Sequence, residues 1–519
     1  MLSSHAMPPA ARPEPPPPGG FPRVPTGIAG LDTILHGGFF RGGLYLITGA
    51  PGTGKTILGN QIAVHHAAAG GRVLFTSLLS ETHSRMFAHL SSLAFFTDPA
   101  IPPLIGDALY YISGYSALQT AGLPGLLTLL QATIRDRHTT LLLLDGVGNA
   151  ESFATTNAAF KEFLHSLQQY AELYGCTVLL LSSRGERGAD RDAVDVRTTV
   201  DGILRLRQRP VQTRIVREVQ IVKLRGSGYL PGGHLVVIGA RGVVVYPRLE
   251  ALQAATVDTL TTGAASLERL DFGIAGLTAM LHGGLFRGSA TALLGPPGSG
   301  KTLLGLHFLA EGARRGEGGL YFGLNEPPPV LLSAGDQVGL AITHWAAAGQ
   351  IALAWYPATA ADLDVLAQHL LEQVRARRVQ RVFLDGLDAF SDLIVDAARI
   401  GPFFAALTNE LRALGVTTLV TVELPHLFGP TVEIPIEGVS AVVENILFLR
   451  YVELRSQLYR LISVLKMRRS GHDLALRQFQ IDATGITIAD TFASAEAILT
   501  GLARPVPGAA GGAADPARR

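Results

Sequence analysis

Short, wholly apolar runs alternate along the chain with longer segments in which apolar residues recur every three or four positions. Residues 141–144 are four consecutive leucines and 178–181 read Val-Leu-Leu-Leu. Runs this short and this apolar predict strands buried on both faces, as in a parallel sheet. In the first half the pattern predicts strands at 43–49, 73–78, near Tyr110, 141–144 and 178–181. Helices are predicted at 55–69, 84–96, 123–135 and 157–174. Residues 202–206, 215–224 and 235–246 then read as antiparallel β structure, and the second half repeats the scheme through residue 488, with 491–500 as a helical coda. The expected fold class is α/β: in each half a mostly parallel sheet flanked by helices, with a C-terminal antiparallel β extension.

The repetition is also literal. Residues 27–42, GIAGLDTILHGGFFRG, match residues 273–288, GIAGLTAMLHGGLFRG, at 12 of 16 positions with an offset of 246. So long a period indicates a duplicated domain rather than a solenoid. The expected organisation is a Pro-rich disordered tail at 1–20, a first domain at 21–249, a linker at 250–266, a second domain at 267–500 and a disordered tail at 501–519.

Composition narrows the class. With 47% hydrophobic and 16% charged residues among 519, the chain buries enough apolar surface to offset the entropy of ordering. No apolar run approaches the roughly 18 residues of a spanning helix, so a soluble protein without a membrane segment is expected. One cysteine, Cys176, forms no intramolecular disulfide, and no signal core follows the N-terminus, which together suit the cytoplasm. A net charge of +1 argues against a generic nucleic-acid partner. The chain has 38 arginines and five lysines, so each lysine calls for a reason.

Two of the five lie in Gly49-Ala-Pro-Gly52-Thr53-Gly54-Lys55-Thr56 and Gly295-Pro-Pro-Gly298-Ser299-Gly300-Lys301-Thr302. Both fit GxxxxGK[ST], in which glycines turn backbone N–H groups around phosphate oxygens, the lysine reaches the β/γ-phosphates and the threonine hydroxyl ligates Mg²⁺. Each follows a predicted strand and opens a helix, whose N-terminus favours the same anion. A Mg²⁺-organising carboxylate should end a neighbouring buried strand; Asp145 and Asp385, 240 residues apart, fit that role. Glycine follows each of them, so the group that orients water must come from elsewhere. Glu81 and Glu326, 245 residues apart and just past the second strands, are the candidates. Lys223 with Arg225, and Lys466 with Arg468, end predicted strands where alternate residues share a face, which suggests a γ-phosphate contact. Lying about 170 residues beyond each P-loop, they suit a neighbouring subunit's site. Lys161 falls on a helix and reads as a solvated residue.

These motifs together resemble the KaiC family, double-domain members of the RecA-like P-loop NTPases, over about residues 21–500. The resemblance implies ATP and Mg²⁺ as cofactors and a homohexamer of two stacked rings with ATP at the subunit interfaces. It further implies that Lys223/Arg225 and Lys466/Arg468 project into the adjacent subunit's nucleotide. The family's glutamate pair is matched at Ser80-Glu81 and Asn325-Glu326, and its Ser-Thr phosphorylation pair at Ser440-Ala441, which leaves Ser440 as the phosphorylation candidate. The function so implied is a hexameric regulatory ATPase with residual Ser/Thr autokinase activity and regulatory protein partners. Two other readings stand beside it: a RecA-like recombinase or helicase motor, for which residues 375–381 offer a basic stretch, and a nucleotide-gated scaffold with little hydrolysis.

Overall fold

The computed structural model describes residues 21–79, 83–183, 198–211, 214–256, 266–357, 362–391, 393, 396–424, 442–454, 457–489, 495–497 and 503–505. The chain divides into two compact units, Met1–Ala255 and Thr256–Arg519. Helix Leu249–Thr256 spans the boundary between the units, so regular structure occupies the start of the expected linker.

Unit one is built on a nine-stranded sheet. Its strands are β1 (Leu44–Gly49), β2 (Val73–Ser77), β3 (Leu109–Ser113), β4 (Leu141–Asp145), β5 (Thr177–Ser182), β6 (Gly202–Val211), β7 (Arg214–Leu224), β8 (Gly233–Gly239) and β9 (Gly242–Tyr246). They lie in the order β9-β8-β7-β6-β1-β5-β4-β2-β3. The six strands from β6 to β3 are parallel, and β7, β8 and β9 are added antiparallel. Leu141, Leu143, Leu179 and Leu181 enter the core on one face, against Leu58, Ile62 and Ala63 of helix α1 (Lys55–Ala68). Leu142, Leu144, Val178 and Leu180 point the other way, against helices Tyr115–Arg137 and Asn157–Tyr174. The period-2 alternation of a strand buries every leucine here because both faces are covered. The Asn157–Tyr174 helix has matching stops: the Thr156 hydroxyl accepts from the Ala159 N–H at 3.1 Å, and Gly175 takes φ +61° just past the end. Helix Tyr115–Arg137 starts earlier than the expected 123, with a kink at Gly122 where Pro124 restarts it.

Unit two repeats the plan with β10 (Ala290–Gly295), β11 (Gly319–Gly323), β12 (Ile351–Trp355), β13 (Arg381–Asp385), β14 (Thr417–Glu423), β15 (Asn445–Leu454), β16 (Gln457–Met467), β17 (Arg477–Asp482) and β18 (Gly485–Ile488). The order, β12-β11-β13-β14-β10-β15-β16-β17-β18, mirrors that of unit one. Helix α2 (Lys301–Arg314) is the counterpart of α1. The coda corrects the sequence reading: Ala495–Ala497 is a strand paired antiparallel with Ala503–Pro505, where a helix and then a disordered tail were expected. Alanine favours helix locally, but that preference is worth under about 1 kcal/mol per residue and yields to pairing.

Candidate functional site

Both P-loops leave the C-terminal end of the strand that holds the centre of each sheet, β1 and β10, and run into α1 and α2. The loops need their glycines. Gly54 and Gly300 sit at φ +98° and +101°, and a Cβ on Gly54 would lie 2.4 Å from Ile238. Lys55 is buried and its Nζ donates to the carbonyls of Gly49 (2.8 Å) and Ala50 (2.9 Å). Lys301 does the same with Gly295 and Pro296, both at 2.8 Å. Burial lowers the proton affinity of both ammonium groups, while nearby carboxylates oppose the shift. The Thr53 and Ser299 hydroxyls donate back to Ala50 O and Pro296 O at 2.9 and 2.8 Å, which closes each loop on itself. Gly52 and Gly298 take φ +79° and +70° at the tips.

β4 and β13 each end in the expected aspartate, one strand away from β5 and β14 and within reach of the P-loop threonine. Thr56 donates to Asp145 Oδ2 at 2.9 Å, and Thr302 to Asp385 Oδ2 at 3.2 Å. Asp385 also accepts from Thr421 at 2.7 Å and from Tyr321 at 3.2 Å, and Thr421 in turn accepts the N–H of Gly386 at 2.7 Å. Burial pushes the Asp385 carboxyl up, and these hydroxyl donors pull against it. The sheet register puts Phe75 and Leu181 of unit one at the positions of Tyr321 and Thr421.

The expected match of Glu81 with Glu326 does not follow the strand register. Ser77 stands opposite Asp145 and Gly323 opposite Asp385, so Leu79, not Ser80, corresponds to Asn325. Neighbouring atoms agree: a Cβ on Gly146 would meet Leu79, and one on Gly386 would meet Asn325. A loop tolerates an offset of 245 where the strands keep 246. Glu81 and Ser440 lie outside the described residues. Glu326 is half-buried, and burial together with Asp385 raises its carboxyl.

The Lys-x-Arg pairs are not brought to the P-loop of their own unit. Lys223 pairs with Ile203, which pairs with Leu46, three residues short of Gly49. At about 3.3 Å per residue that is roughly 10 Å below the strand end. Its ammonium turns further away, donating to Val200 O at 2.6 Å, and Arg225 donates to Thr198 O at 2.7 Å. Unit two is alike: Lys466 pairs with Ile446, level with Ala292, and donates to Val443 O at 2.9 Å, with Arg468 exposed just past β16. Of the basic stretch 375–381, Arg381 is fully buried, while Arg375, Arg377 and Arg378 are exposed, Arg375 donating to Glu410 and Arg377 to Gln373.

One site residue carried no motif. Glu423, the last residue of β14, brings Oε2 to 3.7 Å from Lys301 Nζ. Its counterpart in unit one is Ser183, at the same 240-residue offset that relates Asp145 to Asp385, and that offset is the signal that would have exposed it.

A central parallel sheet, a P-loop at the end of its middle strand and a threonine–aspartate pair beside it, all present twice, define a tandem RecA-like P-loop ATPase. The family model described as "ATPase: KaiC" matches residues 24–250 and 270–492, and the chain belongs to that family. It is 27% identical over 489 residues to the circadian clock oscillator protein KaiC of a Picosynechococcus species, covering 93% of this chain and 92% of that protein. The Rippkaea orientalis protein of the same name is also 27% identical, over 93% and 91% of the two chains. Synechocystis circadian clock protein KaiC3 is 26% identical over 93% and 94%.

Proposed function

We propose that the chain is a Mg-ATP-dependent regulatory ATPase that binds nucleotide in both units and assembles as a hexameric ring. The observation that carries this is the pairing of Thr56 with Asp145 and of Thr302 with Asp385, which sets two oxygen ligands together beside each phosphate loop. An all-oxygen donor set suits Mg²⁺, which would neutralise charge on the β- and γ-phosphates. Thr53, Lys55 and Thr56, with Gly49, Gly52 and Gly54, hold one nucleotide; Ser299, Lys301 and Thr302, with Gly295, Gly298 and Gly300, hold the other. Glu326 orients water in unit two. The ring reading is supported by the position of Lys223/Arg225 and Lys466/Arg468 at the far end of their own sheets. Away from their own P-loops, they are read as serving a neighbouring subunit's nucleotide. The relatives named as clock proteins favour a regulatory role, and Ser440 is the candidate residue for autophosphorylation on the family resemblance alone.

Phosphate release and light scattering, each with and without Mg-ATP, test this reading on the intact chain and on Lys55→Ala and Lys301→Ala. Each variant should lose one of two bound nucleotides, and assembly should follow ATP concentration because ligand at an interface stabilises only the assembled form. A monomer at saturating Mg-ATP would remove the ring. Mixing a double P-loop lysine variant with a variant lacking all four Lys-x-Arg cations should restore turnover if the cations act in trans.

A further inference from the structure

Glu423 stands beside the P-loop lysine of unit two, and neither a motif nor the family resemblance pointed to it. The register of β14 with β10 sets it level with Gly295, the first residue of the P-loop. Its backbone N–H donates to Asp388 Oδ1 at 3.3 Å, which fixes the end of the strand. Its side chain is half exposed on the loop side, with Oε2 3.7 Å from the ammonium of Lys301.

That distance is informative. A P-loop lysine donates to phosphate oxygen at about 2.8 Å, so a Glu423 carboxylate 3.7 Å from the ammonium lies within about 6.5 Å of that oxygen. Like charge prevents it from touching phosphate directly. That range includes the separation one water needs: an attacking oxygen sits about 3–3.5 Å from the phosphorus, and a general base about 2.6–3.2 Å from that water.

We propose that Glu423 is a catalytic residue of the second nucleotide site, the base that takes the proton of the attacking water. The proposal rests on the ATPase reading above. In the step, the water oxygen bonds to the γ-phosphorus, and the bond from phosphorus to the β,γ-bridging oxygen breaks. The electron pair leaves on ADP, and the water proton passes to the Glu423 carboxylate and from there to solvent, which reaches this half-exposed side chain. Unit one has Ser183 at the position, a hydroxyl that accepts no proton at neutral pH, so this step belongs to unit two.

The test uses the full-length protein and compares Glu423→Gln with wild type and Lys301→Ala. Three quantities are read: steady-state phosphate release over pH, nucleotide bound per chain after rapid desalting, and KM for Mg-ATP. The expected result is that Glu423→Gln loses the same share of turnover as Lys301→Ala, roughly 10²-fold or more for that share. It should retain both nucleotides where Lys301→Ala retains one, and the acid limb of its pH profile should flatten, with Glu423→Asp restoring that limb. Turnover in Glu423→Gln within twofold of wild type, while Lys301→Ala is impaired, overturns the proposal alone. So does a change confined to KM, which would mean that Glu423 only positions Lys301. Absence of phosphate release from the wild-type protein overturns the ATPase reading and the proposal with it.

Discussion

The two units share a backbone plan and differ in what surrounds the same loop. In unit two the aspartate that ends the third parallel strand is held by Tyr321 and Thr421 as well as Thr302, and Glu423 faces the P-loop lysine. The corresponding residues in unit one are Phe75, Leu181 and Ser183, and Gly148 stands where Asp388 does. The two copies share the P-loop and the threonine–aspartate pair and differ in the residues around them. Away from the site the same substitution of apolar for polar recurs. β4 opens on Leu141, whereas β13 opens on Arg381, which is fully buried and donates to Glu317 at 2.6 Å and to the carbonyls of Asp271 and Phe308. The tie from the P-loop helix to the last strand is a glutamine in unit one and a histidine in unit two. Gln61 Nε2 donates to Val243 O at 3.0 Å and its Oε1 accepts from Val243 N–H at 2.7 Å, while His307 Nε2 accepts from Ile486 N–H at 3.1 Å.

The largest effect should come from the buried ion pair. Removing one partner strands a charge in the interior, so Glu317→Ala should destabilise unit two by about 3–5 kcal/mol. Arg381→Leu, which copies Leu141, should cost less, because the Glu317 carboxylate that it leaves behind keeps its ion pair with Arg287 at 2.7 Å. The chain's two tryptophans, Trp345 and Trp355, both belong to unit two, so urea unfolding followed by tryptophan fluorescence reads that unit alone. Equal losses in the two variants would show that the pair contributes through packing and not through charge.

The sequence and the structure agree best where chemistry is carried by backbone shape. A P-loop is one contiguous motif whose glycines and lysine serve the same turn, and the buried leucine runs that flank it leave few alternatives to a parallel sheet. The glutamates were harder to read. Their strands end in loops, and the partners of Gly146 and Gly386 fix the register only as far as Leu79 and Asn325, short of Glu81. Glu423 was illegible for a different reason. It ends an ordinary buried strand, and its meaning comes only from Lys301, which lies 122 residues earlier in the chain. The Lys-x-Arg pairs were legible as strand-end cations, but their distance from their own P-loops required the pairing of β7 with β6 and of β16 with β15.

A second contrast between the units appears in acid. Burial lowers the His307 pKa from 6.5 to about 4, because the ring is enclosed and Arg314 repels its cation. The unfolded chain therefore binds a proton that the folded unit refuses between about pH 6.5 and pH 4. Stability is complete above that window and falls as pH drops through it, by up to about 3 kcal/mol at the bottom. Gln61 does not titrate, so unit one has no such loss through this tie. His307→Gln should flatten the acid dependence of the tryptophan-detected transition while leaving stability at pH 8 nearly unchanged. An identical acid slope in wild type and variant would assign the loss to other groups.

The smallest effect tests whether the hydroxyl frame around Asp385 separates the two sites. Thr421 does two jobs at once, donating to Asp385 Oδ1 and accepting from the Gly386 N–H, and all three groups are inside the protein. Thr421→Leu copies Leu181 of unit one, where the Gly146 N–H instead reaches the carbonyl of Leu181 at 3.1 Å. The substitution removes a donor from a buried carboxylate whose proton affinity burial has already raised, so the remaining charge should be harder to keep. The cost should be about 1–3 kcal/mol, divided between folding and the hold on Mg-ATP. It should appear as weaker nucleotide binding in unit two that worsens as pH falls, because a protonated Asp385 no longer presents an anionic oxygen beside Thr302. Thr421→Ser keeps both hydrogen bonds and should restore binding. Equilibrium titration with a fluorescent ATP analogue over pH 5–8 separates the cases. If Thr421→Leu binds as wild type does at every pH, the frame is packing, and the difference between the two sites rests on Glu423 and Glu326.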